Sequence, residues 1–148
     1  MFFLLAAASL TLMQAPVDAC GLLTPAAIRQ AIGAEAEAGK AGTSFFAGNT
    51  NCEFKLGPRA VVSIVATTGP NQPSYFGPRN PGDQRFKNAT PIDGVGDKGF
   101  VWPASANEAS VAFLKGATQI DLRISNLGRV LTPAQLIALA KAALAAMP

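Results

Sequence analysis

From Thr118 to Ser125 the chain alternates strictly, with Ile120, Leu122 and Ile124 on one parity and Gln119, Asp121 and Arg123 on the other. Side chains of a strand point to opposite faces in turn, so this segment belongs in a sheet with one dry and one wet side. The runs before it obey the same constraint. Cys52 to Leu56 alternates, Gly57-Pro58 turns the chain, and Ala60 to Ala66 is apolar and β-branched, a hairpin pattern. Gly99 to Trp102 and Ala109 to Leu114 supply two further strands, with Pro103 to Asn107 as a turn and Lys115-Gly116 as a tight connection. Such short joints hold no crossover helix, so neighbouring strands run antiparallel.

Two Thr-Pro pairs mark helix starts. Thr24 can accept from exposed N–H groups while Pro25 takes the first helical position, where its missing N–H is not needed; Leu23 can staple onto Ile28, and Gly33 supplies the stop. Thr132-Pro133 repeats the device with Gln135 at the capping-box position, and Leu136, Leu139, Ala140, Ala143 and Met147 form an apolar stripe. The expected fold is α+β: an antiparallel β-sheet with an N-terminal and a C-terminal helix packed on one face. Residues 35–51, rich in Ala, Gly, Ser, Thr and Asn around Phe45-Phe46, read as a loop with at most a short strand. Gly69 to Asn88 reads as an irregular surface excursion. It carries Pro70, Pro73, Pro78 and Pro81, the cations Arg79, Arg85 and Lys87, and Tyr75, Phe76 and Phe86 as anchors.

A chain of 148 residues suits one domain with its own hydrophobic core. The formal net charge of +3 comes from basic residues scattered along the chain, without the clustered footprint that nucleic-acid binding needs. Histidine is absent. That removes the commonest general base near neutral pH and the commonest metal ligand together, and no cofactor or metal is expected.

Met1 to Met13 is an apolar run too short to span a bilayer comfortably but suited to a secretory leader, with Val17 and Ala19 as small residues before Cys20, although a basic start is missing. Residues 1–19 therefore read as a signal peptide and 20–148 as a single domain, periplasmic or secreted. In an exported chain the pair Cys20 and Cys52 is most simply a disulfide. A second reading makes Cys20 the lipidated first residue of a membrane-anchored protein, although Asp18 stands where that signal takes a small residue.

Gly94-Val95-Gly96-Asp97-Lys98-Gly99 matches the spacing of a dinucleotide-binding loop, but it runs into a strand rather than a helix, so no helix N-terminus faces a phosphate. Asp93 and Asp97 could act as an acid/base pair, and turn chemistry explains them equally well. The serines have no histidine partner. For binding, the polar stripe Gln119, Asp121 and Arg123 offers a partner-facing surface. A pocket between the long excursion and the sheet would have Trp102 among its aromatic residues and Arg79 and Arg85 at its rim.

The run Ala19-Cys20-Gly21-Leu22-Leu23-Thr24-Pro25-Ala26, the second cysteine Cys52, the Gly94-Val95-Gly96-Asp97 turn into a strand and the closing helix resemble small bacterial secreted or lipid-anchored domains of unknown function. The resemblance implies a PsbP-like or LpqN-like α+β sandwich, a Cys20–Cys52 disulfide and an envelope location, and it carries no catalytic residues. The expected function is a non-enzymatic envelope or secreted domain that binds a protein or small-molecule partner. Alternatives are a secreted hydrolase inhibitor and an envelope enzyme using Asp93 or Asp97.

Overall fold

A computed structural model describes residues 15–44, 46–78 and 83–148. The apolar run Met1 to Met13, Phe45 and Arg79 lie outside the described residues. In chain order the elements are α1 (Pro25–Ile32), β1 (Lys40–Ala41), β2 (Asn49–Lys55), β3 (Val61–Thr68), α2 (Gln72–Tyr75), β4 (Thr90–Ile92), β5 (Lys98–Val101), β6 (Glu108–Lys115), β7 (Thr118–Ser125) and α3 (Pro133–Ala145). Single 3-10 turns lie at Ala19–Gly21 and Gln84–Phe86. The strands form a seven-stranded sheet in the order β1-β2-β3-β7-β6-β5-β4, antiparallel at every pairing.

Two meanders, β1 to β3 and β4 to β7, are joined where β3 pairs with β7, Val61 opposite Ser125 and Thr68 opposite Thr118. Four antiparallel steps separate β3 from β4 in the sheet, so those two strands run the same way. The segment between them therefore has to cross the face of β7, β6 and β5 to reach the far edge. This connection is a crossover, unlike the short joints elsewhere. It is the long excursion of the sequence, and it contains a short helix and a 3-10 turn that its prolines concealed.

Both Thr-Pro pairs cap their helices. Thr24 Oγ1 accepts from the Ala27 amide at 3.1 Å, and Gly33 closes α1 with φ 68° as its amide donates to the Arg29 carbonyl. Thr132 and Gln135 form the reciprocal capping box of α3, Gln135 N–H to Thr132 Oγ1 at 3.2 Å and Thr132 N–H to Gln135 Oε1 at 2.9 Å. α1 packs on α3, and α3 lies against β5 and β6. Ile28, Ile32, Leu136, Leu139 and Ala143 share one buried cluster with Val62, Ile64, Ala66, Val111, Phe113, Ile120, Leu122 and Ile124. The alternation of β7 is thus realised with its isoleucines and leucine in the core.

Three features depart from the expectation. One strand departs from it, β4, whose Pro91 is tolerated because the strand is an edge, whereas the two-residue β1 is the short strand expected within residues 35–51. The helices number three rather than two among the described residues, the extra one being the four-residue α2. The second face of the sheet is open only in part, because Phe76, Phe100, Ala112 and Leu114 form a second buried cluster there with Phe86 and Trp102 packed against it.

Cys20 and Cys52 are bonded, with Cα atoms 5.0 Å apart. The bond ties the turn at Ala19–Gly21 to β2. Lipidation of Cys20 needs its sulfur free, so the disulfide overturns the lipid-anchor reading of that residue.

Candidate functional site

The crossover segment is held to the sheet by aromatic rings. Phe86 meets Phe76 at 5.7 Å, Phe100 at 5.0 Å and Trp102 at 5.7 Å between centroids, and Phe76 meets Phe100 at 5.6 Å. Phe100 stands opposite Ala112 across β5 and β6, and Ala112 stands opposite Asp121 across β6 and β7. Each link is dictated by strand parity. The rings therefore clamp the segment over β5 and β6, while α2 reaches β7 and leaves Arg123 of that strand exposed.

Between the clamp and β7 lies a recess of about 670 Å³ whose lining includes Arg85, Phe86, Trp102, Asp121 and Arg123. Gln119, Glu108 and Ser110 also reach it. The volume matches sites for small organic ligands. Phe86 and Trp102 supply an apolar wall, Asp121 an acceptor, and Arg85, Lys87 and Arg123 a cationic rim.

The polar groups are positioned by their neighbours. Arg85 Nη2 donates to the Tyr75 carbonyl at 3.1 Å, its Nε lies 3.6 Å from Asp83 Oδ1, and its guanidinium sits 5.5 Å from the centre of the Phe86 ring. Trp102 Nε1 donates to the Arg85 carbonyl at 3.0 Å, which fixes the indole and the segment together. Arg123 Nε pairs with Glu108 Oε1 at 3.3 Å across β6 and β7. Asp121 is half-buried and accepts from Gln119 Nε2 at 2.8 Å. Burial pushes the Asp121 carboxyl above its ordinary range, a shift that the Gln119 hydrogen bond and the nearby positive charges of Arg85 and Arg123 oppose.

Of the residues picked out for binding in the sequence, Arg85, Trp102, Gln119, Asp121 and Arg123 line this one recess, while Arg79 is outside the described residues. Two distinct ideas, a wet stripe on β7 and an aromatic pocket under the excursion, meet here. Sequence reasoning missed Glu108, Ser110, Lys87 and Asn88 as lining. The signal for Ser110 was available, since strand pairing places it opposite Arg123. Tyr75 is 44 % exposed, whereas Phe76 is buried.

The other motifs have local explanations. Gly94 and Gly96 take φ 75° and 66° in the turn between β4 and β5, and a Cβ on Gly96 would lie 2.4 Å from the Leu114 carbonyl oxygen. No helix follows them. Asp97 binds that turn to the β6–β7 hairpin, its amide donating to Leu114 O and its Oδ2 accepting from the Gly116 amide, both at 2.7 Å. Asp93 is exposed in the same turn. Ser105 Oγ accepts from the amides of Asn107 and Glu108 and so shapes the β5–β6 turn. Among the described residues no cluster of three or more His, Cys, Asp or Glu side chains could hold a metal ion, and no helix is long and apolar enough to cross a membrane. No family model, curated protein or solved structure matches the chain.

Proposed function

We propose that the chain is an exported, non-enzymatic binding domain that takes a small polar ligand, or one side chain of a partner protein, in the recess between the crossover segment and β7. In this reading α1 and α3 together close one face of the sheet, and the opposite face is the working surface. The observation that carries it is convergence: an apolar wall, an acceptor and a cationic rim, drawn from three separate stretches of sequence, line one cavity of ligand size. The disulfide adds support for export, since such bonds persist in oxidising compartments. Asp97 and Ser105, both engaged with turn amides, give catalysis no comparable footing.

The chemistry of the lining sets the ligand class. A hydrogen-bond donor, such as an amine or hydroxyl, suits Asp121, an apolar body suits Trp102 and Phe86, and an acidic or carbonyl group suits Arg85 and Arg123. The test is a panel of small probes, among them aryl and alkyl amines, carboxylates and zwitterions, titrated into isotope-labelled protein. Probes that carry both donor and acid are expected to shift the Trp102 indole signal saturably and to lose affinity at least ten-fold against Trp102→Ala. Binding by no probe class, or binding unaffected by that substitution, would count against the proposal.

A further inference from the structure

The residues just before Cys20 are part of the folded core. Val17 is 6 % exposed and Ala19 fully buried, and both belong to the cluster that contains Ile28, Cys52 and Phe54. A hydroxyl fixes them to the sheet: Thr50 of β2 accepts from the Ala19 amide at 3.1 Å and donates to the Val17 carbonyl. Asp18 Oδ1 accepts from the Cys20 amide at 3.1 Å, and the Asp18 and Ala19 carbonyls accept from the amides of Gly21 and Leu22. Those bonds form the 3-10 turn that carries Cys20 to its partner Cys52.

We infer that Val17, Asp18 and Ala19 remain in the mature protein, so that any processing of an N-terminal leader cuts upstream of Val17 and not between Ala19 and Cys20. Access does not decide this, because a leader is removed before the chain folds; the fate of the product does. A cut before Cys20 would delete two core side chains and the cap of the turn. It would also place a charged amino group at the half-buried Cys20, and leave the Thr50 hydroxyl without both partners at the sheet. Val17 and Ala19, which imitate a cleavage signal, have a packing explanation instead: both are buried in the core, and the turn that holds Ala19 lies against β2.

The experiment is the intact mass, with terminal fragmentation, of the protein recovered from cells that express the full chain. The expected mass includes Val17 to Ala19, whatever lies upstream of them. A mass beginning at Asp18, Ala19 or Cys20 overturns the inference. A second measurement on the full chain is independent of processing: Thr50→Val is expected to lower Tm by roughly 5–10 °C and to speed hydrogen exchange of the Ala19 amide by at least ten-fold. An Ala19 amide that exchanges freely in the unsubstituted protein contradicts a docked strap.

Discussion

Burial of Asp121 raises its carboxyl pKa, and the consequence for stability has a definite sign. In the unfolded chain an aspartate titrates near 3.9; in the fold it holds its proton to higher pH. Between those two values the folded state binds more protons than the unfolded, so stability falls as pH rises through that window and stays lowered above it. Asp121→Asn retains an oxygen to accept from Gln119 and removes the charge. It is therefore expected to raise Tm at pH 7, with the gain shrinking to nothing by about pH 3, as thermal melts across pH will show. For a ligand that donates to Asp121 the sign reverses: affinity rises as Asp121 ionises, and the Asn variant loses that dependence. The polar residue that destabilises the empty fold is the one the proposed ligand would satisfy.

At the scale of elements the sequence was legible where one rule sufficed. Both Thr-Pro helix starts and the alternation of β7 are local patterns, and each appears as expected. Replacing Thr132 with Ala removes the hydroxyl that accepts from Gln135 and should cost about 1 kcal/mol in denaturant unfolding. The crossover segment was legible only as irregular, because its course is set by sheet order rather than by its own residues. Nothing local in Gly69 to Asn88 says that β3 and β4 end with three strands between them. The aromatic clamp could have been suspected from β6, where Ala112 and Leu114 sit on the parity opposite Val111 and Phe113, a sign of burial on both faces. Phe100→Ala should release the segment from that clamp at a cost of about 3–4 kcal/mol. Limited proteolysis is expected to cut within residues 69–89 before any other site.

For the whole molecule, the disulfide and the sheet act on different terms. Cys20 and Cys52 are 32 residues apart, and the chain-entropy model assigns such a closed loop about 3–4 kcal/mol, mainly by restricting the unfolded state. The double variant Cys20→Ser/Cys52→Ser should lower the unfolding free energy by about that amount in denaturant titration, while its spectrum around the recess stays that of the parent. The bond anchors β2, four strands away from the aromatic clamp on β5. The mixed α and antiparallel-β character of the fold, and Arg85, Trp102, Gln119, Asp121 and Arg123 of the recess, could be read from the chain. Their meeting in one cavity could not, since it depends on the strand order that brings β7 beside β3 and on the crossover above it.

The most direct test of the recess as the binding surface is a residue-resolved map of ligand-induced shifts, recorded by NMR with probes that carry a donor and an acid, for the parent and for Asp121→Asn. The account predicts shifts concentrated at Arg85, Trp102, Ser110, Asp121 and Arg123 that weaken in the variant. Shifts spread elsewhere on the molecule, or a map identical in the two proteins, would contradict it.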